Sequence, residues 1–399
     1  MDLTCEHNLT PEEMTKALRG LAEAEGISEE LSKALRRSSV DLTPKVPADP
    51  FARRIYEQMM AEFEKAAADI ERYARGQMLK KSVTAITPQQ TAALTQAITD
   101  RYGFIAAQLQ GDYTPDPMQL ERWKQLGLVP ADITPETFAA SVPAEMRMIR
   151  NAFVMGRLAD AVEQGTSFEE ALRLALSLPL KKPDMAAMAI AEQQTAMYIT
   201  DNAADLATKI GQLAIKKRND AIRQMAIDYH AGRLKRTVRD EEMKQDEEIP
   251  ERYAENWQEF ASELRQAMDD KARDWQRVAY TETVTAQQNG RAHQLLSESG
   301  PDTLVYKMPL PTACAQCRHA YLEEDGFTPK VFRLSDLLHN GDNIGRKPHP
   351  TRGGKVVPGG RPDGAETMKP VSGTMHPFCA CRLYRYTGHE RWARKGRTS

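Results

Sequence analysis

The sequence predicts a mainly α protein: a multi-helix body containing a long antiparallel helical hairpin, followed by a small, loop-rich α+β C-terminal domain. Three observations carry that expectation. Two stretches between residues 183 and 299 keep an apolar four-three alternation. Ahead of them, helix start signals recur along the chain. After Gly300-Pro301 the helical period stops, and turn formers crowd in with four of the five cysteines. The implied segments are 1–182, an N-terminal helical region; 183–299, the hairpin; and 300–399, the C-terminal domain.

In the first segment, Thr10-Pro11-Glu12-Glu13 supplies an N-cap, a proline at the first helical position and a capping-box glutamate, with Gly26 as a stop. A second helix fits Asp49 to Lys81, where Ile55, Met59, Phe63 and Ile70 recur at helical spacing. Thr87-Pro88-Gln89-Gln90 and Thr134-Pro135-Glu136 repeat the start signal, and Pro115, Pro117, Pro130 and Pro143 punctuate the connections. These residues mark structure and carry no evident chemistry.

In the hairpin, Ile199, Ala203, Leu206, Ile210 and Leu213 form one seam, and Tyr253, Trp257, Phe260, Leu264 and Ala267 form the other. The aromatic stripe of the second seam reads as core, because its spacing is that of a buried helix face. Between the seams, His230 to Pro250 is dense in charge and has little to bury.

Beyond Pro301, Thr303 to Met308 is β-prone and reads as a short strand. Glycines and prolines then dominate up to Gly364, and so loop-rich a segment has few ways to build a core. Cysteines offer a staple. Cys314 and Cys317 form a CxxC pair just after the strand; Cys379 and Cys381 follow some sixty residues later, preceded by His376-Pro377-Phe378. A tight turn aims both sulfurs of a CxxC the same way, so the two can share one Zn²⁺. A Cys₄ site is the first expectation, Cys₃His using His376 or His319 the alternative, and four reduced thiols without metal the bland reading. The acidic start, without a basic n-region or apolar h-region, is read as no secretory signal. An odd cysteine count in a chain expected to stay unsecreted argues against a disulfide framework. A redox CxxC is disfavoured, since no βαβ pattern surrounds Cys314. The zinc expected is structural: HExxH is missing, and so is the deaminase pairing of HxE with PCxxC. P-loop and GxSxG signatures are missing too, so no catalytic residue is assigned.

With 41% hydrophobic and 28% charged residues, and no apolar run near the roughly 18 residues that span a bilayer, no membrane role is expected. The formal net charge of -2 hides an asymmetry: from Pro301 onward 16 basic residues face 9 acidic ones, against 38 and 47 in the rest. Arg346, Lys347, Arg352, Lys355 and Arg361 lie in the stretch from Gly341 to Gly364, and Arg391, Arg394 and Lys395 in the C-terminal tail. Such a basic loop and tail can meet a phosphate backbone without reading sequence, meet an acidic protein surface, or be solvated.

One helix stretch reads Ala279-Tyr280-Thr281-Glu282-Thr283, then Asn289-Gly290-Arg291-Ala292; the strand and CxxC follow, and the end is His376-Pro377-Phe378-Cys379-Ala380-Cys381-Arg382. In this layout the chain from about Lys271 to Arg382 resembles the C-terminal domain of the phage Mu F-like minor head proteins of tailed bacteriophages. It departs at Tyr280 and Ala380, where that family favours Arg. The resemblance implies a structural minor head protein of the virion. It would sit at the portal vertex and capsid interior after assembly in host cytoplasm, and act in head morphogenesis, DNA packaging or delivery. The implied partners are the portal, the major capsid protein and packaged double-stranded DNA. Its motif residues here are Thr281, Glu282, Asn289, Gly290 and Arg291, with Glu282 read either as a bridge between helix and zinc module or as a catalytic carboxylate. The rival expectations are a zinc-containing nuclease or transferase toxin delivered with the genome, and a nonspecific DNA-binding module.

Overall fold

Helix starts follow the local signals. The computed structural model describes residues 46–78, 87–159, 179–232, 256–310, 313–343 and 368–390, together with 167, 169–170, 173, 177, 351–352 and 355–356. α1 (Pro50–Met78) opens on Asp49, whose carboxylate accepts the N–H groups of Phe51 and Ala52 at 3.0 and 2.9 Å. α2 (Pro88–Leu109) opens on the expected reciprocal box: Gln90 N–H donates to the Thr87 hydroxyl at 3.1 Å, and Thr87 N–H to the Gln90 side chain at 2.9 Å. α3 (Pro117–Gln125) is capped by Asp116, and α4 (Pro135–Ser141) and α5 (Met148–Arg157) follow. The start signal at Thr10 lies outside the described residues.

Two long helices complete the body, α6 (Lys182–His230) and α7 (Asn256–Ser299). They run antiparallel: as residue numbers rise along α6 through Asp184, Lys209 and Lys217, their partners fall along α7 through His293, Asp270 and Glu263. The first seam is buried at Ile199, Ala203, Leu206 and Ile210, the second at Phe260, Leu264 and Ala267. Tyr253, most of the linker and the side chain of Trp257 lie outside the described residues.

The hairpin does not stand apart. α6 also packs along α2, and α7 along α5 and α1, so that Ile55, Met59, Phe63 and Ile70 of α1 share one core with both seams. The expected cut near residue 182 therefore falls between elements of a single core. Trp275 of α7 stacks on Phe63 and on Tyr102 of α2 with ring centroids 4.9 and 4.5 Å apart, tying three helices at one point. A smaller core closes α2, α3 and α4 around Trp123 and Phe138. No described helix is long and apolar enough to cross a membrane.

α5 and α7 meet backbone to backbone. A Cβ on Gly156 would lie 1.8 Å from the Gln287 carbonyl oxygen, and one on Gly290 would lie 1.7 Å from that of Phe153. Glycine is required at both positions for approach rather than for an unusual φ. Gly290, from the sequence motif, thus sets the closeness of a helix crossing.

After α7 the chain forms β1 (Leu304–Met308), α8 (Ala315–Tyr321), β2 (Val331–Arg333), α9 (Leu334–His339), β3 (Thr351–Arg352), β4 (Lys355–Val356) and β5 (Arg382–Arg385). β1 is the central strand of an antiparallel sheet in the order β2-β1-β5, with Tyr306 opposite Val331 on one side and Tyr384 on the other. One face, with Val305 and Leu383, closes together with Leu334 and Leu337 of α9 on Ala292 and Leu295 near the end of α7. The sheet is thereby anchored on the body, and its other connections converge on the cysteines.

Candidate metal centre

Two short backbone devices deliver the sulfurs. Cys314 is the N-cap of α8, and its sulfur accepts the N–H of Cys317 at 3.5 Å, so the first helical turn folds both thiols to one side. Cys379 and Cys381 lead into β5 in extended chain, where alternate residues share a face. Ala380, between them, packs against the helical core instead. The turn before them is closed by Cys379 N–H donating to the His376 carbonyl at 3.0 Å, with Phe378 at φ 60° in the left-handed region. That conformation costs a non-glycine residue about 1–2 kcal/mol. Compensation comes from Phe378 N–H donating to the Thr281 hydroxyl at 3.3 Å and from its ring lying 5.5 Å from that of Tyr280.

Together these devices gather five donors. Cys314, Cys317 and His376 form one group and Cys317, Cys379 and Cys381 another, each with its ligand atoms within 4.8 Å of one another. Cys317 belongs to both. The sulfurs of Cys314 and Cys317 each lie 3.1 Å from His376 Nε2, and those of Cys317 and Cys379 lie 3.6 Å apart. A tetrahedral zinc site has edges of about 3.8 Å between sulfurs and about 3.6 Å between sulfur and nitrogen, so these separations fit to about half an ångström. His376 Nδ1 lies 2.7 Å from the Pro377 carbonyl oxygen. A carbonyl can only accept, so Nδ1 holds a proton, and Nε2, facing the sulfurs, is the nitrogen left to ligate a metal once it gives up its own proton.

The electrostatics point the same way. Cys314 is pulled down to about 4 by its contacts with Cys317 and then His376, and Cys379 is held well below the usual thiol range by Cys317 and Cys381. Cys317 is driven up by Cys314, Cys379 and Cys381, which resist a further negative charge beside them. Cys381 is drawn down by Cys317, but Cys379 and burial outweigh that and raise it. Burial opposes charge on His376, yet the Cys314 and Cys379 sulfurs outweigh it and push its pKa up to about 9. Left to themselves, the buried thiols cannot all ionise; a divalent cation removes that conflict. The cluster can therefore hold a metal ion, and its donor set fits a soft, thiolate-preferring one.

Of the two histidines expected as alternates, only His376 reaches the cluster. His319 lies two residues beyond Cys317, about 200° round α8, and is exposed. Among the basic candidates, Arg352 and Lys355 sit opposite each other across the β3–β4 ladder; Arg346, Lys347, Arg361, Arg391, Arg394 and Lys395 lie outside the described residues.

The helix motif builds the junction beneath the cluster. The Thr285 hydroxyl lies 2.6 Å from that of Thr374, and Asn289 Oδ1 accepts the Ser372 hydroxyl at 2.8 Å. Gln288 accepts the Leu383 N–H at 2.6 Å, and the Arg291 guanidinium lies 5.1 Å from the Tyr384 ring centroid. Glu282 takes no part in these bonds. It lines a cavity of about 350 Å³ beside His376, and burial, then Asp342, push its carboxyl up to about 7.

Sequence reasoning missed Lys307. It is fully buried on β1, donates to the carbonyls of Val371 (3.2 Å), Ser372 (3.0 Å) and Gly373, and its ammonium lies 5.1 Å from the Tyr321 ring centroid. Burial lowers its pKa against the pull of the nearby cysteines. Lys307 fixes the strap that leads into His376. Lys307→Met should leave the buried carbonyls of Ser372 and Gly373 short of a donor, with Val371 keeping the Tyr321 hydroxyl, and destabilise this module by about 3 kcal/mol. Hydrogen exchange at the amides of residues 371–373 should accelerate, with the α6–α7 amides unchanged.

Comparison with protein-family models, curated proteins and solved structures returned no match.

Proposed function

We propose that this protein is a structural component without an enzymatic role, in which a zinc ion staples the C-terminal module onto a rigid helical body. The carrying observation is the convergence of Cys314, Cys317, Cys379, Cys381 and His376 where the start of α8 meets the turn before β5, around only a small apolar cluster. A Cys₃His set containing Cys317 and His376 is favoured, since His376 Nε2 lies 3.1 Å from two sulfurs. Zinc suits such a set because it binds thiolate and imidazole tetrahedrally.

The setting we infer for this scaffold is the head of a tailed bacteriophage, as a minor head protein at the portal vertex and capsid interior. What supports this reading is the resemblance in the α7 motif and the two cysteine pairs, together with the work those residues do. Thr281 and Asn289 bond the cysteine-bearing loops, Gly290 admits α5, and Arg291 covers Tyr384. A motif engaged in joining a helix to a metal module suits a scaffold. Mass spectrometry of purified proheads and virions should find the protein in both and cross-linked to the portal or shell. Its absence from both particles would refute the assignment.

A further inference from the structure

We infer that the cavity between α6, α7 and the His376 turn is a socket for a basic side chain, lysine or arginine, presented by a partner protein. Its volume of about 350 Å³ is near the lower end of sites that hold small ligands. Glu282 stands in its wall, closely surrounded by neighbouring atoms but keeping a strip of surface open to the cavity. Among the described residues no hydrogen bond or ion pair reaches its carboxyl. Asp342, exposed on the loop after α9, lines the same cavity and adds a second carboxylate.

An enclosed carboxyl without a partner is costly as an anion, and a second carboxylate nearby raises the cost. A cation brought between them offsets both effects. Arg277 lines the cavity too, exposed at its mouth, but among the described residues it forms no ion pair with either carboxylate. Most of the remaining exposed lining is apolar, from Val278, Met375 and the ring of Tyr198, while the His376 imidazole that also lines it is engaged with the Cys314 and Cys317 sulfurs. An apolar wall ending in carboxylates suits a group with an aliphatic stem and a cationic head, which is the make-up of lysine and arginine side chains. A bare divalent cation would use the carboxylates and leave the apolar wall without purpose.

This inference does not depend on the virion setting, and measuring metal content alongside separates it from the metal centre. Isothermal titration of the full-length, metal-loaded protein should detect saturable 1:1 binding of N-acetyl-arginine amide or N-acetyl-lysine amide. The uncharged N-acetyl-norleucine amide should bind at least tenfold more weakly. Glu282→Gln should weaken the basic probes at least tenfold and Asp342→Asn severalfold, with metal content unchanged in both. Should Glu282→Gln fold poorly, Asp342→Asn on the exposed loop still carries the test. Equal binding of the norleucine probe, unchanged affinity in Asp342→Asn, or saturation by Mg²⁺ or Ca²⁺ without any by the basic probes would each overturn the socket.

Discussion

Cys317→Ser should abolish stoichiometric metal binding and unfold the chain beyond Pro301, while α1 to α7 keep their helix content. Cys317 is the one donor common to both groups, so its loss disconnects the α8 side from the β5 side. Structural zinc supplies on the order of 10 kcal/mol or more of apparent binding energy to small modules. Closing the long loop between Cys317 and His376 costs only a few kcal/mol. On the proposed reading, the metal decides whether this region is ordered. Far-UV circular dichroism should change little, because α8 and α9 hold only 7 and 6 residues. Limited proteolysis should change greatly, with new cuts confined to the region after Pro301. His319→Ala is the matched control and should keep both metal and protease resistance. A Cys317→Ser protein that retains one metal per chain would contradict this account of the pivot.

The second large effect belongs to the helical body. Gly290→Ala places a methyl group 1.7 Å from a backbone oxygen of α5, which cannot rotate away as a side chain would. The helices must separate, so overpacking should cost about 3 kcal/mol or more, read as a loss in urea or thermal unfolding. Gly156→Ala strikes the same crossing from the other helix, and the double variant should cost less than the two losses together, since one separation relieves both clashes. Gly103 in α2 is the contrast. A methyl there meets nothing within 4 Å, and the helix gains about 0.5–1 kcal/mol from alanine. Opposite signs at two helical glycines would show that close approach is what Gly290 serves.

Helices and their starts were legible because their causes are local. Thr87 with Gln90, and the apolar steps through Ile55 and Phe63 or through Ile199 and Ile210, lie within a few residues of one another. What those faces pack against was not legible. Nothing in the seam of α6 announces α2, and the burial of α7 on several sides became readable only once α5 and the sheet lay against it. The strands divide likewise. β1 is long enough to alternate, whereas β2 and β5 hold 3 and 4 residues and exist because β1 pairs with them.

The site divides in the same way. Spacing identified the four cysteines and His376, because CxxC and HxxC turns are local devices. It left His319 as an alternate, which the helical turn after Cys317 carries off to the opposite face. Lys307 did leave a trace: it shares the inward face of β1 with Val305, and a charged residue on an inward strand position needs acceptors. Those acceptors, the carbonyls of 371–373, are contributed by a segment more than sixty residues away, and no local pattern points to them.

The most direct test of the metal centre is X-ray absorption at the zinc edge on protein purified without added metal or chelator, combined with elemental analysis. This account predicts one zinc per chain in a four-coordinate shell, with three sulfurs at about 2.3 Å and one nitrogen at about 2.0 Å, and loss of the nitrogen in His376→Ala. A well-ordered C-terminal module with no bound metal, or zinc held by oxygen and nitrogen alone, would contradict it.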